Sequence, residues 1–200
     1  MKQYFLILPL LFTLFACSEK SMLTKLNKTD PILAFGDSLT FGYGASTQQS
    51  YPAILSQLTG LTVINAGVSG ELSAHGLKRL EALLDRYQPQ LLLLCHGAND
   101  MLQKRNLDTM ASNVEAMIKL AQDRDIQVHL ISVPNTNLLL TPLKQYQKIA
   151  TKMNVPLDND LMSDILSQPS LHSDIIHPNA MGYQKMAETI YENLNALGAF

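Results

Sequence analysis

Ile32-Leu33-Ala34-Phe35-Gly36-Asp37-Ser38-Leu39-Thr40 is a short apolar run that stops at a glycine and passes directly into polar residues. The pattern recurs. Leu61 to Ile64 ends at Asn65, Leu91 to Cys95 ends at His96, and Ile126 to Val133 ends at Pro134. Runs that are apolar on both faces are expected of parallel strands covered by helices on each side. Between them, residues 50–59, 73–86 and 108–124 place apolar side chains three and four apart, the spacing of a helix with one buried stripe. Leu72, Leu77, Leu80, Leu83 and Leu84 fall on one such stripe, and Val114, Met117, Ile118 and Ala121 on another. Ser50 and Asp108 are the expected N-caps. A last helix is expected over about 179–195 with Pro178 at its first position. The alternation predicts an α/β domain: three layers, α/β/α, around a central parallel sheet with right-handed crossovers. Residues 135–172 are read as loop, a helix around 142–152 and a short edge strand near Val155-Pro156-Leu157.

The N-terminus differs in kind. Lys2 precedes an uncharged run from Tyr4 to Ala16 that ends at Cys17. The run is too short to span a bilayer, which takes about 20 apolar residues, and has the layout of an export signal. Leu14-Phe15-Ala16-Cys17 resembles a bacterial lipobox, in which the cysteine thiol is acylated and becomes the first residue of the mature lipoprotein. Residues 1–16 are therefore expected to be a signal peptide, 17–30 a lipidated N-terminus and polar tether, and 31–200 the folded domain. With Ser18 after the cysteine, that resemblance favours the outer membrane on its periplasmic side; a soluble periplasmic protein is the alternative. The other cysteine, Cys95, lies in an apolar run and is expected to be an inert buried thiol.

Composition narrows the partners. Of the 200 residues 46% are hydrophobic and 16% charged, as in ordinary globular proteins, and the formal net charge is -2 with dispersed basic residues. Nothing here supplies the positive field that a phosphate backbone needs, so no nucleic-acid partner is expected. The chain has no HExxH, no CxxC pair and no Gly-x-Ser-x-Gly, and Gly42-Tyr43-Gly44 lacks the third glycine of a dinucleotide fingerprint. No metal and no cofactor are expected, and the chain is read as a monomer.

In an open parallel sheet the ligand site lies beyond the carboxyl ends of the strands. The unusual residues of this chain sit there: Gly36-Asp37-Ser38-Leu39, Asn65-Ala66-Gly67-Val68-Ser69-Gly70, Gly97-Ala98-Asn99-Asp100, and Asp174-Ile175-Ile176-His177 before the last helix. These four segments, in this order, resemble the blocks of the SGNH hydrolases, or GDSL esterase/lipase family, over residues 32–187. Tyr51-Pro52 and Gly76-Leu77-x-Arg79-Leu80 are similar to the branch holding thioesterase I/lysophospholipase L1 and the arylesterases. The resemblance implies a serine hydrolase acting on carboxylic esters or thioesters, with catalytic Ser38, His177 and Asp174. Its oxyanion donors would be the backbone N–H groups of Ser38 and Gly70 and the side-chain amide of Asn99.

The chemistry agrees with those roles. A serine hydroxyl is a weak nucleophile and needs a base within hydrogen-bond reach, itself oriented by a third group. His177 precedes Pro178 and is held out of helical conformation, so a carboxylate three residues earlier can fold back onto its Nδ1 and leave Nε2 to face Ser38. Asp100, next to Asn99, is expected to fix its loop. Each residue also has a plainer reading: Ser38 as a helix cap, Gly70 as a turn residue, Asn99 as a loop cap and His177 as a partly buried histidine satisfied by Asp174. His75, His129 and His172 fit none of the four segments, and His96 adjoins the third. Residues 137–141 are a candidate wall of an acyl pocket. The expected substrates are lysophospholipids, acyl thioesters and aryl or short-chain esters. The alternatives are carbohydrate O-acetyl groups, against which the absence of Trp weighs, and a catalytically silent binding lipoprotein.

Overall fold

The structure is a computed structural model that describes residues 23–135 and 140–200. The expected signal peptide and lipidation site Cys17 lie outside the described residues, as do residues 137–139 of the expected pocket wall. A five-stranded sheet in the order β2-β1-β3-β4-β5 forms the centre, built from β1 (Ile32–Gly36), β2 (Val63–Gly67), β3 (Leu91–Cys95), β4 (Gln127–Ile131) and β5 (Leu157–Asp158). Every pairing is parallel. The helices are α1 (Ser38–Phe41), α2 (Tyr51–Thr59), α3 (Ser73–Tyr87), α4 (Ala98–Leu102), α5 (Leu107–Gln122), α6 (Lys144–Met153), α7 (Leu161–Leu166) and α8 (Ala180–Ala196). They cover the sheet, giving the expected α/β architecture.

β1 and β3 are buried along their whole length, which is why they read as unbroken apolar runs. Leu91, Leu92, Leu93 and Leu94 are fully buried, and truncating any of them to alanine costs about 2–5 kcal/mol on general grounds. β2 lies at the sheet edge and is only half-buried. The strand order reverses between β1 and β3, so a crevice opens beyond Gly36 and Cys95, which are paired in register.

Several boundaries differ from expectation. β2 runs Val63–Gly67, starting two residues after the apolar run begins and ending three residues after Ile64. β4 is shorter than 126–133, and β5 begins where the expected edge strand ends. The N-cap of α5 is Asn106, whose side chain accepts from Asp108 N and Thr109 N; Asp108 instead places its carboxylate in the first turn, where the helix dipole favours it. Ser50 precedes α2 as expected, but its hydroxyl donates to the Thr47 carbonyl. Pro178 is not the first helical residue of α8: Asn179 caps it, accepting from Gly182 N, and Pro178 pairs with His172 in an isolated antiparallel bridge.

Packed structure also begins before residue 31. Leu26 is buried, Leu23 N–H donates to the Leu197 carbonyl at 2.9 Å and Leu26 N–H to that of Ala199 at 2.8 Å. Thr24 is hydrogen-bonded to Gln127, the first residue of β4, so both ends of the described chain meet at the amino edge of the sheet. Among the described residues no helix is long and apolar enough to cross a membrane.

Candidate active site

At the opposite, carboxyl edge, Ser38 is the first residue of α1, directly after β1. Asp37 caps this short helix, its carboxylate accepting from Leu39 N at 3.2 Å. Asp37 is fully buried, and that burial raises its carboxyl pKa above the ordinary value, against the opposing effects of His96 and the Leu39 amide. Ser38 Oγ lies 3.0 Å from His177 Nε2. On the other side of the ring, His177 Nδ1 stands 2.8 Å and 3.0 Å from the two oxygens of Asp174.

The loop before α8 creates this geometry. Asp174 Oδ1 accepts from the backbone N–H groups of Ile176 and His177, both at 2.9 Å, so a tight Asx-type turn brings the carboxylate under the imidazole. Ser173 N–H closes the loop on the His177 carbonyl at 2.8 Å. Partial burial works to raise the Asp174 carboxyl pKa, but the bonds from His177 and the two amides outweigh it and hold the group below its ordinary value. A charged acceptor at Nδ1 fixes the proton there and leaves Nε2 free to accept from Ser38. Tyr43 lies against the imidazole with ring centroids 4.5 Å apart, and Tyr183 holds that segment by donating to the Tyr43 carbonyl at 2.8 Å.

Gly70 and Asn99 approach from the ends of β2 and β3. Gly70 has φ +78°, a conformation that favours glycine, in a turn closed by Glu71 N–H donating to the Val68 carbonyl at 3.2 Å. Val68 N–H donates to the Gly36 carbonyl at 3.1 Å, which ties this turn to the segment before Ser38. Asn99 Nδ2 donates to the Glu71 carbonyl at 3.1 Å and keeps a second N–H. Asp100, also buried, accepts from Ser73 N and Ser73 Oγ, each at 2.8 Å, and so fastens α4 to the start of α3 as expected.

Three partners of this region were not assigned from sequence. Glu71 follows Gly70, and its buried carboxylate takes a two-point contact from Arg79 and a contact at 3.1 Å from the fully buried His96. Burial acts to raise the Glu71 pKa, but the bonds from His96 and Arg79 and the Arg79 charge pull it down to about 2. Arg79 was noted only within a family-like phrase, and His96 only as a neighbour. Gly76 makes room for the cluster: a Cβ there would lie 2.3 Å from His96 Nε2. Of the other histidines, His129 is buried 2.9 Å from Asp158, and His75 is exposed on α3. Cys95 is a free, buried thiol whose pKa burial pushes well up. Among the described residues no cluster of three or more His, Cys, Asp or Glu could hold a metal ion.

Beside Ser38 and His177 runs a mostly apolar cleft lined by Leu39, Met101, Leu102, Val133, Leu140, Leu166 and Ile175. Leu140 belongs to the stretch expected to wall an acyl pocket. Residues 34–185 match the GDSL-like Lipase/Acylhydrolase family. The chain belongs to that family. Among relatives of this GDSL-like acylhydrolase, an arylesterase from Vibrio mimicus is 30% identical, the alignment covering 94% of this chain and 96% of the relative. The thioesterase 1/protease 1/lysophospholipase L1 of Escherichia coli is also 30% identical, over 84% of this chain and 85% of its own. The crystal structure of a psychrotrophic esterase from Pseudoalteromonas sp., inhibited by monoethylphosphonate, superposes with a TM-score of 0.75 at 28% identity and covers 84% of this chain and 97% of that one. This GDSL-like acylhydrolase is accordingly an ester-hydrolysing enzyme with the SGNH hydrolase fold.

Proposed function

We propose that the enzyme hydrolyses acyl-chain esters and thioesters through an acyl-enzyme on Ser38, with His177 as base and acid and Asp174 as its orienting group. The observation that carries this reading is the hydrogen-bonded chain Asp174–His177–Ser38 opening onto an apolar cleft. Ser38 Oγ attacks the acyl carbonyl carbon while His177 Nε2 takes its proton. Asp174 stabilises the imidazolium. The negative charge that forms on the carbonyl oxygen is met by the backbone N–H groups of Ser38 and Gly70 and by Asn99 Nδ2. Collapse breaks the bond to the alcohol or thiol, which leaves with the proton from His177. Water, deprotonated by His177, then attacks the acyl-Ser38 ester and releases the acid and the free enzyme. No cofactor enters these steps, and the enzyme acts as a monomer.

The cleft lining favours an acyl chain over a sugar, whose hydroxyls would lie unpaired against Leu, Met and Ile. A chain-length series of p-nitrophenyl esters, assayed beside a lysophospholipid and an acetylated glycan, tests this. Each methylene that enters the cleft should raise kcat/KM roughly fourfold, from about 0.8 kcal/mol per buried CH₂, until the cleft is full. Faster turnover of the acetylated glycan than of every acyl ester would make a carbohydrate O-acetylesterase the better reading.

The N-terminal segment carries a second half of the proposal. Residues 1–16 direct export, and Cys17 is acylated and anchors the folded domain at the outer membrane on its periplasmic side. Expressed in a bacterium, the protein should incorporate labelled fatty acid and sediment with membranes, and Cys17→Ser should lose both properties. Wild type recovered soluble and unacylated would overturn the anchor.

A further inference from the structure

Glu71 is joined to every segment that carries a proposed oxyanion donor. Its own N–H closes the turn that presents Gly70, and its carbonyl receives Asn99 Nδ2 at 3.1 Å. Its carboxylate is gripped by Arg79, with Nε at 2.7 and 2.9 Å and Nη2 at 2.7 Å. The same Arg79 Nη2 reaches the carbonyl of Gly36 at 3.2 Å, two residues before Ser38, and that of Ala66 at 2.8 Å, at the end of β2. The guanidinium lies 4.1 Å from the Phe35 ring centroid, and His96, whose exposure is 0%, meets Glu71 Oε2, the oxygen that Arg79 Nη2 also contacts, at 3.1 Å. Glu71 is buried and Arg79 half-buried, so desolvation offsets much of the attraction between them, while loss of either partner would leave the other unpaired.

Resting on the oxyanion assignment made above, we infer that Glu71, clamped by Arg79 and His96, is a positioning residue that sets the mutual placement of the Ser38, Gly70 and Asn99 donors. Glu71 touches no substrate. It acts by holding the backbone around Gly70 and the Asn99 amide where the developing negative charge will sit, and misplacement of such donors by about 1 Å costs on the order of a hundredfold in rate.

Glu71→Gln keeps the size of the side chain and removes its charge, and Arg79→Lys keeps a charge but withdraws the fork that spans Glu71, Gly36 and Ala66. Each should lower kcat by roughly tenfold to a hundredfold with KM changed by less than about twofold, measured well below the variant's own Tm. Asn99→Ala alone should lower kcat by about 10² to 10³-fold. Because Glu71 acts partly through Asn99, the Glu71→Gln/Asn99→Ala double variant should retain at least about fivefold more activity than the product of the two single effects implies. Wild-type kcat in Asn99→Ala would overturn the oxyanion assignment itself. With Asn99→Ala impaired, wild-type kcat in both Glu71→Gln and Arg79→Lys would overturn the positioning role alone. So would losses that disappear on cooling, or effects in the double variant that simply multiply.

Discussion

Ser38→Ala is expected to leave a folded protein whose kcat for any ester is about 10⁶-fold below wild type. The serine hydroxyl makes its hydrogen bond to His177 Nε2, at 3.0 Å, and its side chain forms no part of the apolar core. Removing one neutral hydrogen bond at a largely polar junction costs about 1 kcal/mol, so the melting temperature should fall by no more than roughly 4 °C. The rate loss is large because no other group can form the acyl intermediate; what survives is the roughly 10³ to 10⁴-fold acceleration over water that binding and oxyanion stabilisation supply. Single-turnover hydrolysis and a thermal melt measure both quantities. A fluorophosphonate should label Ser38 in wild type and leave the variant unlabelled. Wild-type turnover by Ser38→Ala would dismiss the whole mechanism.

A second large effect separates two aspartates that both lie near the site. Asp174→Asn preserves an oxygen for the amides of Ile176 and His177 but can turn an amide nitrogen toward His177 Nδ1, where the ring needs an acceptor. The imidazole then loses both its preferred tautomer and the carboxylate that stabilises its protonated form, and kcat should fall by about 10⁴-fold at neutral pH. In the wild type the Asp174 carboxyl is held below its ordinary value, so the charge that orients His177 persists as pH falls through the usual carboxylate range. The variant has no such charge at any pH, and its residual activity should recover in part as pH rises and hydroxide takes over the deprotonation of Ser38. Asp100→Asn behaves differently. Its carboxylate serves Ser73 N and Ser73 Oγ, both at 2.8 Å, and loss of those charge-assisted bonds should cost about 1.5–3 kcal/mol with kcat nearly intact. Melts and pH–rate profiles of the two variants decide the assignment. A catalytic collapse in Asp100→Asn with a normal melt, beside an almost unimpaired Asp174→Asn, would reverse the roles.

The parallel core was legible because burial on both faces leaves β1 and β3 no polar positions, and Ile32 to Phe35 and Leu91 to Cys95 record this directly. β2 was displaced toward Gly67 because an edge strand is only half covered, so Asn65 can belong to it without penalty. Asn106 and Asp108 are both good caps, and only the backbone geometry decides between them. Helices as short as α4 and α7 complete too few turns for periodicity to appear. At the site, the pairing of Asp174 with His177 was legible because their three-residue spacing falls within four ordered segments that resemble a known family; the spacing by itself is common. The partners of Glu71 are spread over separate elements: Arg79 on α3 and His96 after β3 meet the carboxylate only once the sheet has formed. Local sequence holds no sign of that meeting.

The hydrogen bonds of Leu23 to Leu197 and of Leu26 to Ala199 bring the two ends of the described chain together at the amino edge of the sheet, the edge opposite the one that carries Ser38. The same adjacency makes the enzyme a natural subject for circular permutation: a short linker can join the ends, and new termini can be opened in a surface loop without crossing the cleft.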